Sequence, residues 1–487
     1  MLPTTPETVL QAFQQIWGYS SFRSPQGEIV QAILSGQDSL IVMPTGGGKS
    51  ICFQLPALLQ EGITLVISPL VALMENQVEE LRIKKLAAGL LHSQLPKSDR
   101  LRTLQQLEQQ RLRLLYLSPE TLFSPKVWQL LLRPEMVINA LILDEAHCLV
   151  QWGDTFRPAY RRLGMVRPTL LRHKPPGSKI AIAAFTATAN PQAQGILRSV
   201  LQLHNPQEFL LNPYRKNLIL QVQTVWTPRG RRQRLRHFLQ QQQGTAGLIY
   251  VRTRQDSETL AQDLQKLHYK TQPYHAGLSS AQRRQIEADW QSDRLQFVVC
   301  TNAFGMGINK PNVRWVCHFQ APLLLSEYVQ EVGRAGRDGL PATALSLVSE
   351  PTGYLDDSDR RRWQYFLKQL QDQYQAAQRE ISKLPNEGDI QVLSRNMPQA
   401  PFMLSLLHSA GQVEWLDPFH YRRRPGKAQR NPVQEQRNAA QEMQRYLQTR
   451  KCRWAFILHA FGFSDGADSF TCGHCDRCRG NVPKGSL

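Results

Sequence analysis

A glycine-rich stretch near the N-terminus has the residue types that bind phosphate. It runs Met43-Pro-Thr-Gly-Gly-Gly-Lys-Ser50 and lies between an apolar run and a helical pattern. Glycines let backbone N–H groups close around phosphates, Lys49 can reach the β and γ oxygens, and Ser50 can ligate Mg²⁺. The spacing therefore predicts an ATP site. Its predicted members are Thr45, Gly46, Gly47, Gly48, Lys49 and Ser50.

Two further polar motifs could complete hydrolysis. Asp144-Glu145-Ala146-His147 follows an apolar run; Asp144 is expected to hold Mg²⁺ and Glu145 to act as general base. Farther along, Gln330-Glu-Val-Gly-Arg-Ala-Gly-Arg337 places Arg334 and Arg337 three residues apart. That spacing predicts two guanidinium groups on one helix face, where they could stabilise charge on a transferred phosphoryl group.

Four cysteines near the C-terminus have the spacing of a metal site. Cys452 precedes Cys472-Gly-His-Cys475-Asp-Arg-Cys478, and four soft sulfur ligands suit tetrahedral Zn²⁺ in a closed, structural site. His474 is a weaker candidate because it lies inside a tight turn. Met1–Glu7 lacks the pattern of a secretory signal, which favours metal over disulfides. The remaining cysteines are scattered among apolar residues and are expected to be buried thiols: Cys52, Cys148, Cys300 and Cys317.

Size and charge limit the class of protein. The 487 residues predict more than one domain, and a formal charge of +19 predicts a polyanionic partner. Nucleic acid and a membrane surface are the two rivals. No apolar run approaches the ~20 residues of a spanning helix, so no membrane association is expected.

Strands and helices alternate along most of the chain, which indicates two α/β lobes with parallel sheets. A break falls near Asn212–Asn217. Nearly continuous apolar runs predict strands buried on both faces. They are Leu40–Met43, Thr64–Ser68, Leu114–Ser118, Leu141–Asp144, Ile180–Thr186, Ala246–Val251, Gln296–Cys300, Val313–Phe319 and Thr343–Val348.

The remainder of the chain is predicted to be mainly helical, notably Arg360–Lys383 and Pro432–Arg450. Within it, Pro401–Arg424 predicts a helix followed by a basic hairpin that turns at Asp417-Pro418. This stretch is either a winged-helix-like element that binds duplex through Arg422, Arg423 and Arg424, or an insert packed on the second lobe. The predicted domains are 1–212 (first lobe), 213–350 (second lobe), 351–440 (helical region) and 441–487 (zinc module).

Together these segments resemble a superfamily 2 helicase, and the RecQ family in particular. The resemblance implies two RecA-like lobes that hold ATP in the cleft they form. It also assigns adenine stacking to Tyr19, reading of the adenine edge to Gln26 with Arg23 nearby, and a place at the nucleotide to Gln330. Among the motifs that carry it, Ser68–Met74 and Leu117–Leu122 resemble the family's DNA-contacting motifs of the first lobe, and Phe185–Ala189 resembles its motif that couples hydrolysis to movement. The others are Trp17–Gln26, Tyr250–Arg254, His275–Leu278 and Thr301–Asn309.

The resemblance also implies a route from DNA to hydrolysis. Gln151–Tyr160 looks like the family's aromatic-rich loop, in which Trp152 and Phe156 would stack on bases. Arg157 would pair with phosphate or help bridge to the ATP site, and His147 is expected to take part in the same coupling. Asp154-Thr155 departs from the usual His-Asp, which leaves the detail of coupling open. Since the sequence ends nine residues after Cys478, the winged-helix and helical accessory domains that follow the zinc module in the family are expected to be missing.

The function that follows is an ATP-dependent DNA helicase, 3′ to 5′ by resemblance, acting in DNA repair, recombination or replication. Expected partners are single-stranded DNA, tailed or branched duplexes and a single-stranded-DNA-binding protein; the expected location is the cytoplasm, at the nucleoid if bacterial. One alternative is a translocase or RNA-directed motor that unwinds poorly. Another is a zinc-containing nucleic-acid-binding protein with a vestigial ATPase, which the intact Lys49, Asp144, Glu145 and Arg337 disfavour.

Overall fold

The computed structural model describes most of the chain and divides it into two compact units. The described residues are 5–44, 46–150, 157–304, 310–426, 428–464 and 469–479. The first unit comprises Met1–Met43, Gly47–Leu211 and Gln369–Glu435. The second comprises Pro44–Gly46, Asn212–Lys368 and Gln436–Leu487. Among the described helices, none has both the length and the apolar character needed to span a membrane.

A seven-stranded parallel sheet forms the centre of the first lobe, in the order β3-β4-β2-β5-β6-β1-β7. Its strands are β1 (Ser39–Val42), β2 (Ile63–Ile67), β3 (Ala88–Leu91), β4 (Leu114–Leu117), β5 (Ile138–Leu143), β6 (Ala181–Thr186) and β7 (Gln207–Leu210). Alternate β1 residues enter different cores: Leu40 and Val42 join one, whereas Ile41 joins the other. Both sheet faces are therefore covered, which explains the continuous apolar runs.

Helices on the two faces of this sheet complete the lobe. The α-helices are α1 (Pro6–Trp17), α2 (Gln26–Leu34), α3 (Lys49–Leu59), α4 (Val71–Ile83), α5 (Lys97–Glu108), α6 (Pro119–Leu122), α7 (Pro125–Leu132), α8 (Val166–Leu171) and α9 (Pro191–Val200). The 3₁₀ helices are η1 (Ala146–Leu149) and η2 (Pro158–Met165).

The second lobe repeats this design with a six-stranded parallel sheet, in the order β10-β11-β9-β12-β13-β8. Its strands are β8 (Leu218–Val225), β9 (Ala246–Tyr250), β10 (Thr271–Tyr274), β11 (Phe297–Cys300), β12 (Val313–His318) and β13 (Ala342–Ser349). Its helices are α10 (Pro228–Gln241), α11 (Arg254–Gln265), α12 (Ser280–Gln291) and α13 (Leu325–Val332). The predicted pair of parallel-sheet lobes is confirmed, as is burial of the four scattered cysteines.

Residues 369–435, called here the small-sheet module, form a separate antiparallel sheet in the order β14-β16-β15. The elements of this region are α14 (Ser358–Glu380), η3 (Ile381–Lys383), β14 (Glu387–Asp389), α15 (Ile390–Asn396), α16 (Ala400–Ser409), β15 (Val413–Trp415) and β16 (His420–Arg423). The predicted helix and hairpin are both present. The module groups with the first lobe, so the alternative of an insert packed on the second lobe is wrong.

The last described elements belong to the second unit. They are α17 (Pro432–Gln448), which starts in the small-sheet module, α18 (Arg453–Ala460) and α19 (Asp476–Arg479). Cys452 and Cys475 share a core with second-lobe residues such as Tyr328, so the cysteine cluster extends that lobe's apolar core.

Candidate functional site

The phosphate-binding loop connects β1 to α3 at the carboxyl edge of the first sheet. Gly48 caps α3 with a φ of 76°, and a Cβ at this position would lie 2.3 Å from Nε2 of Gln26. Only glycine meets both conditions. Lys49 opens the helix, and its Nζ is buried without a hydrogen bond to any residue that the structure describes. A buried ammonium in that state suits a phosphate ligand. Thr45 lies outside the described residues.

The predicted adenine element contacts this loop directly. Oε1 of Gln26 accepts a hydrogen bond from the Arg23 backbone N–H at 3.0 Å, and Nε2 of Gln26 donates to the Gly47 carbonyl at 3.1 Å. Gln26 is buried, whereas Tyr19 is 54% exposed. The structure thus brings Gln26 to the phosphate loop, connects Arg23 to Gln26 through its backbone N–H, and leaves Tyr19 largely accessible.

Two acidic residues follow β5 at the same edge of the sheet. The Asp144 carboxylate accepts hydrogen bonds from Ser68 Oγ at 3.4 Å and from the Glu145 backbone N–H at 3.1 Å. Burial raises the pKa of Asp144 to about 6, the Glu145 charge adds to the rise, and the Lys49 ammonium opposes it. Glu145 has a φ of 51°, a left-handed conformation that is strained for a non-glycine residue and is common at functional sites.

Oxygen donors suited to Mg²⁺ are present at this edge. Ser50 offers a hydroxyl and Asp144 a buried carboxylate, and hard oxygen ligands are what Mg²⁺ prefers. Their predicted roles as magnesium ligands stay predictions. Ser68 belongs to a segment that is predicted to contact DNA, and its bond to Asp144 could not be predicted from spacing along the chain.

His147 connects the acidic pair to β6. Its Nδ1 lies 3.2 Å from Oε2 of Glu145 and 3.2 Å from Oγ1 of Thr186. Thr186 belongs to the segment that resembles the family's hydrolysis-to-movement motif. His147 therefore contacts both Glu145 and β6, and its predicted role in DNA coupling stays a prediction.

Arg157 joins two segments that were predicted to contact DNA. Its Nη2 donates to the Pro69 carbonyl at 3.1 Å, and its Nη1 lies 3.6 Å from a carboxylate oxygen of Glu120. Trp152, Phe156 and the Asp154-Thr155 pair lie outside the described residues, so their predicted roles stay predictions.

The arginine motif of the second lobe differs from the prediction in its local structure. Gln330 lies in α13, but that helix ends at Val332, and Arg334 and Arg337 follow it in turns. The expectation that both arginines share a helix face is wrong. Gly336 has a φ of 61°, and a Cβ there would approach Asn217 Nδ2 to 2.6 Å. The left-handed backbone at Gly336 turns the chain between Arg334 and Arg337, so the helix does not continue through them.

The buried carboxylate of Glu331, to which the sequence patterns assign no role, anchors this motif. The Oε1 and Oε2 atoms of Glu331 accept hydrogen bonds from Arg252 Nη1 at 2.9 Å and Nη2 at 2.8 Å. Nε2 of His318 lies 2.9 Å from Oε2 of the same residue. Burial by itself would raise the pKa of Glu331, but Arg252 and His318 outweigh it and lower the pKa to about 2. The sequence signal that could have identified Glu331 is its position on the apolar side of α13, where a carboxylate needs a buried partner.

The four C-terminal cysteines form a compact cluster. Their Sγ atoms all lie within 4.8 Å of one another, at 3.5 Å for Cys475–Cys478, 3.8 Å for Cys472–Cys478 and 4.0 Å for Cys452–Cys475. Sulfurs at ~2.3 Å from a tetrahedral zinc lie about 3.8 Å apart, so the cluster fits this ion. Nδ1 of His474 lies 2.7 Å from the Cys472 carbonyl oxygen, and this residue is outside the cluster, as predicted.

The cysteine cluster is tied to the sheet of the second lobe. Arg453 donates two hydrogen bonds to the Asp476 carboxylate at 2.6 and 2.8 Å, and that carboxylate also accepts from the Val222 backbone N–H at 3.1 Å. Nε1 of Trp454 donates to the Leu218 carbonyl at 3.1 Å. Cys452 is the N-cap residue of α18.

The sequence and the fold of the chain are similar to those of known helicases. Three family models match: DEAD/DEAH box helicase over residues 23–196, helicase conserved C-terminal domain over 230–339 and RecQ zinc-binding over 415–479. The chain is 52% identical to the ATP-dependent DNA helicase RecQ of Synechocystis sp., over 97% of this chain and 98% of that relative. It is 40% identical to RecQ of Haemophilus influenzae, over 71% of this chain and 54% of that relative. S. cerevisiae Dbp5, solved with RNA and ADP BeF3, shares the fold at a TM-score of 0.57 and 16% identity, over 74% of this chain and 92% of that one.

Proposed function

The chain belongs to the RecQ family of ATP-dependent DNA helicases, and we propose that it moves along one DNA strand in the 3′ to 5′ direction. It is an ATP-dependent DNA helicase that uses ATP, Mg²⁺ and Zn²⁺. The observation that carries the catalytic part of the proposal is the buried Lys49 Nζ, which makes no hydrogen bond to any residue described here. The proposed direction is consistent with the family.

At the nucleotide, Lys49 binds the β and γ phosphates, and Glu145 accepts a proton from the attacking water. The strained backbone of Glu145 and its contact with His147 hold the carboxylate in one orientation. Ser50 and Asp144 would hold Mg²⁺, which when bound neutralises charge on the phosphate oxygens. Arg334 and Arg337 stabilise the charge that develops during transfer.

The remaining cofactor has a structural role. Cys452, Cys472, Cys475 and Cys478 would hold one Zn²⁺ with all four positions occupied by protein, which leaves no open position for chemistry. The bonds from Trp454 and Asp476 to the second lobe support the idea that the metal stabilises this part of the enzyme.

The DNA substrates are single strands and tailed or branched duplexes, and Arg157 with the aromatic-rich loop couples their binding to hydrolysis. The net charge of +19 supports this choice because phosphate neutralisation releases counterions. We propose that the enzyme works in the cytoplasm, at the nucleoid if the cell is bacterial, in repair, recombination or replication. A single-stranded-DNA-binding protein is a proposed partner.

Strand displacement on matched DNA and RNA duplexes with a 3′ or a 5′ tail tests this proposal. We expect ATP-dependent displacement of the DNA duplex with a 3′ tail and none with Lys49→Ala. Displacement only from a 5′ tail would contradict the direction. Strong DNA-stimulated hydrolysis without displacement would indicate a translocase that separates strands poorly.

A further inference from the structure

The small-sheet module has a basic hairpin whose charges are satisfied within the module. Arg422 pairs with Glu387 at 2.7 Å and Arg424 pairs with Glu414 at 2.6 Å. Arg423 donates to three backbone carbonyls of the same module. The three consecutive arginines thus make ion pairs and hydrogen bonds within the module, and their predicted contact with duplex DNA stays a prediction.

The turn of this hairpin is docked on the first lobe. The ring of Phe419 contacts Phe123 and Trp128 edge-on, with centroid distances of 5.9 and 5.4 Å. Phe419 packs against the apolar core of the first lobe, and Met165 of that lobe packs in return against the core of the small-sheet module. The first lobe and the small-sheet module thus each contribute an apolar side chain to the core of the other.

Polar contacts fix the orientation of this docking. Nη1 of Arg162 donates to the Pro418 carbonyl at 3.1 Å, and the Arg162 guanidinium lies 4.3 Å from the centre of the Phe123 ring. Oγ of Ser405, on α16, donates to the Pro158 carbonyl at 3.2 Å. A planar guanidinium that both stacks and donates restrains its partners more than apolar contact alone.

The contact points lie beside the residues that face DNA in the proposed function. Phe123 follows α6, the helix of the predicted DNA-contacting segment that contains Glu120. Pro158 follows Arg157, and Arg157 contacts Glu120. The module therefore contacts the first lobe at Phe123, just after the segment that contains Glu120, and at Pro158, just after Arg157.

We propose that the small-sheet module is a brace for DNA coupling, in which Phe419 and Arg162 act as positioning residues for Arg157. The inference rests on the proposed coupling of DNA binding to hydrolysis through Arg157. The docked hairpin holds η2 and the end of α6 at a fixed spacing. DNA that binds at Arg157 therefore transmits its effect to the ATP site, because the segment around Arg157 cannot simply move away. None of the described contacts made by Phe419, Arg162 or Ser405 involves a residue of the ATP site. Hydrolysis in the absence of DNA is therefore expected to be independent of the module.

Phe419→Ala in the full-length chain is the central test. We expect hydrolysis without DNA to stay within twofold of wild type, and the maximal DNA-stimulated rate to fall about tenfold, since small misplacements of coupling residues have effects of this order. Hydrogen exchange of the backbone amides of Pro158–Met165 should increase. Phe419→Leu, which keeps an apolar side chain, should restore most of the stimulation.

Two controls separate the brace from general damage. Arg422→Ala removes ion pairs from the same hairpin without touching the docked turn, and it should leave DNA stimulation at the wild-type level. Arg162→Met removes the bond to Pro418 with little loss of volume, and it should show the same selective loss of DNA stimulation as Phe419→Ala. It also keeps the test usable if Phe419→Ala folds poorly.

The outcomes are distinguishable. Equal loss of DNA-free and DNA-stimulated hydrolysis in both Phe419→Ala and Arg162→Met would overturn the brace in favour of a purely stabilising contact. Normal stimulation in both variants would also overturn it. If wild-type hydrolysis does not respond to DNA at all, the failure lies in the proposed function and not in the brace.

Discussion

Replacing Glu331 with Gln should destabilise the second lobe by about 3 to 5 kcal/mol, because it leaves the buried Arg252 guanidinium without its counter-charge. The side chains of Glu331 and Arg252 are 4% and 15% exposed, and two hydrogen bonds join them. Arg252 and His318 lower the pKa of Glu331 from 4.5 to about 2, which corresponds to about 3 kcal/mol in favour of the folded state with Glu331 ionised.

Urea unfolding of four proteins would measure this free energy: wild type, Glu331→Gln, Arg252→Met and the double variant. Both single variants should be less stable than wild type. The double variant should be more stable than the sum of the single losses predicts, because it leaves no buried charge unpaired. A loss below about 1 kcal/mol in Glu331→Gln would refute the reasoning.

The same pair predicts a pH dependence with a definite sign. Because its pKa is depressed, ionised Glu331 contributes its full stabilisation above pH 4.5 and loses it as the pH falls toward 2. The difference in stability between wild type and Glu331→Gln should therefore be constant from pH 8 to pH 5 and shrink at lower pH. Since Glu331 holds the end of α13 beside Arg334, the variant should also hydrolyse ATP more slowly at neutral pH.

Other predictions concern the ATP site and the zinc centre. Lys49→Ala should abolish DNA-stimulated phosphate release while DNA affinity, measured by fluorescence anisotropy, stays unchanged; release near the wild-type rate would remove the loop from the mechanism. Arg337→Ala should lower steady-state turnover by about 10³ and change the KM for ATP far less, and the reverse pattern would contradict its role. Cys475→Ala should reduce bound zinc from one ion per chain to none by elemental analysis and make the C-terminal region sensitive to protease. Wild-type protein purified without chelator should contain zinc, and its absence would exclude the site.

In the two parallel sheets, the sequence predicted the interior strands and missed those at the edges. All nine strands predicted for the two lobes overlap interior strands, whereas β3, β7, β8 and β10 are the edge strands of these sheets. An interior strand is covered on both faces and flanked by neighbours, so its residues form an apolar run. An edge strand such as β7, Gln207–Leu210, keeps polar and exposed residues, and its pairing is decided by the rest of the sheet.

Phosphate binding, acid–base hydrolysis and zinc ligation depend on residue types at short spacings, so the roles of Lys49, Asp144, Glu145 and the cysteine cluster could be predicted from the sequence. The distant side chains that support these residues could not, because they meet only through tertiary packing. Ser68 meets Asp144, Glu331 meets Arg252, and Phe419 meets Phe123 across intervals in which no local pattern specifies a partner. These contacts arise from the packing of whole elements, since burial selects partners by position in space and not by distance along the chain.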